Sequence, residues 1–449
     1  MIDHPNRRSR RALLAQASAA GVAIVTTAHV QARAQVPFRG SMAAPLTAQD
    51  AAGPVSFMNW DVMEGTPTEA AIQTYQQQSK AKVEIVPTPG TGTDYETKVR
   101  TMLAGGTVPD IIRVNDDFVR FYSFKQQFTD LQSFMDRDGI DPAAYYEPVF
   151  NFPRQPDNRY TAWALGNQPR MIYYNVDLFK AAGVPLPPAD WSSKGWTWDD
   201  FVETAKKLTV EGKQWGALVY DDTGCEQTFS VNNGLTEGIY SEDGKSFLLA
   251  EPQGVEAIQW LADLTLVHKV QPERGLVTEA NSGNNLFLQG KVAMIFRTQG
   301  TMAYFRKNNP TFTWDVAAPP AKADQKTEGS LICYAIPTAA KNPDGAWELL
   351  KFLGGKGGSD IFAERSDFIP AFTASAEGIK AKEGVAPAHL SLFTDAMKFQ
   401  TTVNFTENTE NARNIYRPQL DLVWNGDSTA EDVLGGVRQD VEETLSGAF

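Results

Sequence analysis

The feature that most restricts the fold is a grammar of short apolar strands alternating with amphipathic helices from residue 54 onward. Pro54–Trp60 reads as a strand ending in a polar, aromatic loop, and a helix follows through Glu69, Ile72 and Tyr75. Lys82–Val86 alternates as a second strand, stopped by Pro87 and Pro89; Asp94–Leu103 is helical up to Gly105-Gly106, and Pro109–Val114 is a third strand. Strand, helix and strand at this spacing predict βαβ units on a parallel sheet.

The middle of the chain repeats the pattern. Met171–Asn175, Trp215–Tyr220, Lys291–Phe296 and Leu331–Ile336 read as strands. Thr197 with Asp200 three residues on predicts a capping box, and Phe201, Ala205 and Leu208 give the helix it opens one apolar face. A second amphipathic helix follows Pro252, and Asn342-Pro343 opens a third that ends at Gly354-Gly355. The last hundred residues carry helical periodicities around Leu390, Phe393 and Met397 and around Val433, Val437 and Val441. No short repeat recurs. Two α/β lobes, each a mainly parallel sheet flanked by helices, with a helical C-terminal region, is the expected fold class.

The first 34 residues stand outside that grammar. Arg7, Arg8, Arg10 and Arg11 precede an uncharged, Ala-rich run from Ala12 to Ala28, and Ala32-Arg33-Ala34 is a small-x-small cleavage site. The run is too polar for a stable membrane span. The order Ser9-Arg10-Arg11-Ala12-Leu13-Leu14 predicts a twin-arginine export signal, residues 1–34, followed by a flexible leader over 35–53 and a periplasmic mature protein. Removing the signal leaves 36 basic and 53 acidic groups, net −17. That charge argues against nucleic acid as a partner, because phosphate binding needs a basic face. Cys225 and Cys333 are open to pairing or to remaining buried thiols.

Catalytic signatures are missing. No G-x-S-x-G elbow, H-E-x-x-H helix or G-x-G-x-x-G turn appears. Gly354–Ser359 is Gly-rich but has the wrong spacing for a phosphate loop and follows a helix, so it reads as a helix-ending turn or hinge. Only His268 and His389 remain in the mature chain, too few for a three-His zinc site. Acidic pairs such as Asp116-Asp117 and Asp221-Asp222 could in principle serve a two-carboxylate hydrolase, but adjacent carboxylates point different ways and usually solvate a loop. No cofactor and no metal is expected.

From residue 170 the sequence becomes specific. Arg170-Met171-Ile172-Tyr173-Tyr174-Asn175-Val176-Asp177-Leu178-Phe179-Lys180-Ala181-Ala182-Gly183-Val184-Pro185 resembles a signature of the family 1 extracellular solute-binding proteins, the periplasmic receptors of ABC importers for sugars. Further pieces similar to that family follow the same order: Pro109-Asp110-Ile111 after Leu103–Gly106, Trp198–Thr209, Gly290–Met294 with Gly300 after it, Ala346–Leu353, and Ile369-Pro370-Ala371. The resemblance runs from about 54 to 445. It implies a hinge-linked, two-lobed, type II-like fold with an N-lobe of 54–164 and 317–355 and a C-lobe of 165–316 and 356–449. It also implies a monomer that closes its cleft on a sugar and delivers it to a membrane permease. A receptor for glycerol-phosphate or polyamine-type solutes is the alternative within the binding class, and a secreted carbohydrate-active hydrolase the alternative outside it. Val114 stands where some members carry an aromatic residue, which favours a mono- or disaccharide or a sugar derivative over a long oligosaccharide.

Ligands of open α/β sheets sit beyond the carboxyl ends of strands. Sugars are held there by planar hydrogen-bonding side chains and an aromatic face. Strand ends therefore nominate Asn59, Trp60 and Asp61, then Asn115 and Asp116, and then Arg297, Thr298 and Gln299. The resemblance adds Asn167, Gln168 and Arg170 at the first crossing between lobes. Ser330, Arg365 and Asp367 complete the candidates.

Overall fold

The computed structural model describes residues 53–447, apart from 61–62, 89–92, 193–194 and 366–367. The export signal, nearly all of the leader, Asp61 and Asp367 lie outside the described residues. No helix among the described residues is long and apolar enough to cross a membrane.

The first third follows the alternation seen in the sequence. Strand β1 (Val55–Met58), helix α1 (Pro67–Ser79), β2 (Val83–Ile85), α2 (Thr93–Gly105), β3 (Ile111–Val114) and α3 (Asp116–Phe124) succeed one another, and β1 pairs in parallel with both β2 and β3. Asp110, just before β3, ties this unit together. Its carboxylate accepts from Ser56 Oγ (2.6 Å), Ser56 N (2.9 Å), Lys341 N (2.7 Å) and Asn342 N (2.8 Å). The Pro-Asp-Ile piece is thus a structural clamp between β1 and the helix that begins at 343.

Strand β4 (Trp163–Asn175) is the longest among the described residues, and every residue of it except Gln168 is buried. Its first half pairs with the strand that runs over Thr327–Ala335, its second half with the strands at Met294–Thr298 and Trp314–Ala317. Asn175 ends it and caps α4 (Val176–Ala182), accepting from Asp177 N and Leu178 N at 3.0 Å each. The chain continues through α5 (Trp198–Leu208), α6 (Cys225–Asn232) and α7 (Pro252–Leu266) to β5 (Met294–Thr298) and α8 (Thr301–Asn308). Then come β6 (Trp314–Ala317), β7 (Thr327–Ala335), α9 (Pro343–Gly354), α10 (Lys356–Arg365) and β8 (Ile369–Pro370). Helix α11 (Ser391–Ala396), β9 (Gln400–Thr401), α12 (Thr409–Tyr416) and α13 (Ala430–Leu445) complete the labelled elements. The sheet order is β2-β1-β3-β7-β4-β5, with β6 and β8 on β4 and β9 on β7. The expected parallel pairing is found in β2–β1–β3 and between β7 and β9, whereas β4 runs antiparallel to all its partners. β7 also runs antiparallel to β3, so the sheet is mixed.

Three local expectations change. The segment 215–220 forms only isolated parallel bridges, Trp215 with Val292 and Leu218 with Ile295. Between them Ala217 N donates to Val270 O (3.0 Å), and just after them Val219 N donates to Gln271 Oε1 (2.6 Å), so the backbone serves two neighbours and no regular ladder forms. The strand expected at 291–296 begins only at Met294. Gly355 ends α9, but α10 starts at once and packs on α1, so the Gly-rich turn is a break between consecutive helices.

The capping box is present: Thr197 Oγ1 accepts from Asp200 N (3.2 Å), and Asp200 Oδ2 accepts from Thr197 N (3.0 Å). Thr197→Ala is expected to lower the unfolding free energy by about 1 kcal/mol. Urea denaturation checks this, and an unchanged midpoint would show that the cap carries no weight.

Candidate functional site

Where β3 ends, the chain turns directly into α3, and Asn115 makes that turn. Its Oδ1 accepts from Phe118 N (2.9 Å) as the helix cap, and its Nδ2 donates to Glu96 (2.9 Å). Asp116 follows and accepts from Leu331 N at 3.1 Å, across on β7. Facing them, Arg170 rises from β4 and Glu328 and Ser330 from β7. The loop before α6 brings Thr223 and Glu226, and the C-terminal region brings Arg413, Tyr416 and Arg417. Together these groups line a cavity of about 160 Å³.

Its electrostatics are organised around buried ion pairs. Arg170 Nε donates to Asp222 (2.5 Å), and Nη2 donates to Thr223 Oγ1 (3.3 Å). Nη1 approaches Glu328 Oε2 at 3.0 Å, an ion contact whose angle does not make a hydrogen bond. Arg417 pairs with Glu226 (3.1 Å) and donates to the Thr223 carbonyl (2.8 Å), while the Tyr416 hydroxyl donates to the other Glu226 oxygen (2.9 Å). The Thr223 loop is therefore held by two arginines. It passes so close that a Cβ on Gly224 would lie 2.2 Å from both Arg170 Nε and Glu328 Oε2. Only a residue without a side chain fits there.

Burial pushes the Glu328 carboxyl up to about 7, against the pull of Arg170, with Asp222 adding to the rise. Burial opposes the charge on Arg170, but Asp222 and Glu328 outweigh it and raise its pKa. Asp222 goes the other way: Arg170 and Arg297 overcome its burial and hold it below the usual carboxylate range.

Residues 59–360 match the model of the bacterial extracellular solute-binding proteins. The chain belongs to that family. A protein of Brucella abortus (strain 2308) named as a binding protein is 28% identical over 252 residues, 55% of this chain and 58% of the relative, so the match spans little more than half of that relative's length. The ABC substrate-binding protein from Listeria monocytogenes in complex with cycloalternan superposes with a TM-score of 0.77 at 21% identity, covering 88% of this chain and 99% of that one. An ABC transporter solute-binding protein of Thermotoga lettingae bound with α-D-tagatose gives a TM-score of 0.73 at 18% identity, again over 88% and 99% of the two chains. These likenesses give the solute-binding protein the two-lobed α/β fold that its sequence motifs imply.

Of the residues nominated by sequence, the fold gathers Asn115, Asp116, Arg170 and Ser330 around the cavity. The others sit elsewhere in this solute-binding protein. Asn59 is buried and accepts from the Tyr334 hydroxyl (2.8 Å), and half-buried Trp60 packs on Tyr95 with ring centroids 5.2 Å apart. Asn167 is buried and donates to Gln400 (2.6 Å). Gln168 lies against Gly300, Gln299 is buried with its N–H on the Pro169 carbonyl (2.9 Å), and the Thr298 carbonyl accepts from the Tyr173 hydroxyl (3.0 Å). Arg297 is buried in a bidentate pair with Asp221. Arg365 is exposed at the end of α10, on a different groove. The two carboxylates of Asp221-Asp222 do diverge, each to its own arginine, and both are buried rather than solvated. Cys225 and Cys333 are buried free thiols, and burial pushes both well up in pKa.

Sequence reasoning missed Thr223, Glu226, Glu328, Tyr416 and Arg417. Glu328 precedes the apolar run from which β7 was read, and Arg417 lies in a helical region with no strand end to mark it. The neighbouring Asp221-Asp222 pair was the one available signal.

Proposed function

We propose that this protein is the periplasmic capture subunit of an ABC importer, that it closes its cleft on a small neutral sugar, and that it hands the sugar intact to a membrane permease. The single observation that carries the reading is the composition of the cavity. Three carboxylates (Asp116, Glu226, Glu328) face three guanidinium groups (Arg170, Arg413, Arg417), with hydroxyl and amide groups between them. Arg170 and Arg417 are committed to protein carboxylates, which disfavours a phosphate diester, and no surplus of acid is present to hold a polyamine. Polyhydroxylated neutral ligands suit such alternating donors and acceptors. The volume of about 160 Å³ lies below the ~300 Å³ at which sites for drug-sized ligands begin, which favours a monosaccharide.

In this reading the first lobe comprises 54–164 with 317–376, because α10 packs on α1, β8 pairs with β4 at Gly166 and Asn167, and Thr373 Oγ1 donates to the Ala144 carbonyl (2.9 Å). The second lobe comprises 165–316 and the remainder of the chain.

A thermal-shift and calorimetric screen of monosaccharides, set beside an assay for sugar cleavage, tests the proposal. A bound sugar at a hundredfold excess over its Kd is expected to stabilise the fold by about 2.7 kcal/mol with no turnover. Asp116→Ala is expected to weaken that sugar roughly tenfold or more, the loss of one charge-assisted hydrogen bond. Cleavage of a saccharide that disappears in Asp116→Asn would replace capture with hydrolysis.

A further inference from the structure

A second charged groove lies away from the cavity. Residues 377–389 run as a strap from the short helix Thr373–Ala376 to α11. Beneath the strap, against α10 and one residue of α8, opens a groove of about 1080 Å³. Arg306, Arg365, Lys380 and Lys382 line it, and none of the four has an ion-pair partner among the described residues. A fifth cation, Lys356, is held by Asp360 at 2.6 Å. The only other acid on this groove is the exposed Glu364, and Glu383 on the strap faces the adjoining groove.

This contrasts with the chain as a whole, whose net charge is −13. The buried arginines 170 and 297 each have a carboxylate, and so does the partly buried Arg417. Arg306 has none among the described residues: it is half-buried, and its Nε donates to the Ala386 carbonyl (2.9 Å). Asp315, nearby, is already bound to His389 at 2.6 Å. Burial pushes the Arg306 pKa down, opposed only by Tyr173. A guanidinium removed from water without a counter-ion is unfavourable. A guanidinium on the wall of this groove, with three more cations lining it, suits a multiply charged oxyanion better than a single carboxylate or halide.

We propose that this groove is a second binding site, for a phosphate-bearing anion held by Arg306 and Arg365 with Lys380 and Lys382 on the strap side. The site is independent of the sugar reading. It joins α10, which packs on α1, to α8, which packs on β5.

Calorimetric titration of the purified protein with inorganic pyrophosphate tests it. Binding is expected that weakens as salt is raised, and that falls roughly tenfold or more in the exposed double variant Lys380→Glu/Lys382→Glu. Arg306→Gln is expected to behave likewise, and the strap variant keeps the test decisive if Arg306→Gln fails to fold. Asp116→Ala is expected to leave the pyrophosphate titration unchanged, so failure here and failure of the sugar proposal are separable. Sedimentation with phosphatidylglycerol against phosphatidylcholine vesicles distinguishes the two sources of the anion. Retention on the former that pyrophosphate displaces assigns a lipid headgroup, and pyrophosphate binding without retention assigns a soluble phosphate. No pyrophosphate binding by the unaltered protein, equal affinity in the strap variant, or loss of binding in Asp116→Ala would overturn the proposal.

Discussion

Replacing Arg297 by methionine is expected to remove roughly 3–5 kcal/mol of unfolding free energy, the penalty for breaking a buried ion pair by deleting one partner. Arg297 grips Asp221 with both terminal nitrogens, one of them at 2.8 Å, and also donates to Asn284 Oδ1 (2.8 Å) and to the Phe296 carbonyl (2.7 Å). The two side chains are only 9% and 6% exposed, so water cannot replace the lost partner. Burial raises the Asp221 pKa even with the arginine in place, and without it the carboxylate must either take up a proton or remain a buried, uncompensated charge. Gly283 packs directly on the pair: a Cβ there would lie 2.3 Å from Asp221 Oδ2 and 2.4 Å from Arg297 Nη2. Urea denaturation of Arg297→Met, Asp221→Asn and the double variant makes the measurement. The double variant is expected to be more stable than the sum of the single losses allows, because neither charge is then left alone. A loss below about 1 kcal/mol in Arg297→Met, the value of an exposed pair, would contradict the buried pairing.

Arg297 also marks the boundary of what sequence can reveal here. Its place just after a strand made it a ligand candidate, and the partner that occupies it lies 76 positions away. Local signals were dependable because their physics is local: the capping box at Thr197 and the apolar face of α5 arise within a few residues of their cause, and β1, β2 and β3 were legible one by one from their own apolar runs, although their pairing joins positions as far apart as Phe57 and Ile111. Strand β4 was legible only from Met171, because Gly166, Asn167, Gln168 and Pro169 carry no apolar alternation. That half is a strand because β7 and β8 supply partners on both sides. The cavity shows the same division. Asn115 and Asp116 follow from the strand-end rule, whereas Arg170–Asp222 and Arg417–Glu226 join residues 52 and 191 positions apart. Nothing in either neighbourhood announces the other partner.

Glu328 is expected to make stability fall as pH rises through neutrality. Its folded-state carboxyl is pushed up to about 7, by burial first and by Asp222 next, while Arg170 only partly restrains it. The ordinary glutamate value is roughly 4.3. Between these two values the folded protein holds a proton that the unfolded chain has released, so the derivative of unfolding free energy with pH is negative. The contribution is therefore complete below the unfolded value and lost as pH climbs through about 7. It amounts to at most about 4 kcal/mol by the pKa difference. Asp222, held low by its arginines, acts in the opposite sense, but only below the usual carboxylate range, and is constant across the window. Asp221, raised by burial, acts in the same sense as Glu328. The comparison with Glu328→Gln isolates the glutamate: the amide keeps the shape and cannot ionise. Denaturation midpoints from pH ~5.5 to ~8.5 should fall steeply in the unaltered protein and more gently in Glu328→Gln, with the two curves converging at the acid end. Parallel curves would show that Glu328 is already ionised throughout and that Arg170 is shared evenly between two carboxylates. A protonated Glu328 is in addition a hydrogen-bond donor at the wall of the cavity, so sugar affinity in the proposed cleft should change over the same interval and lose that change in Glu328→Gln.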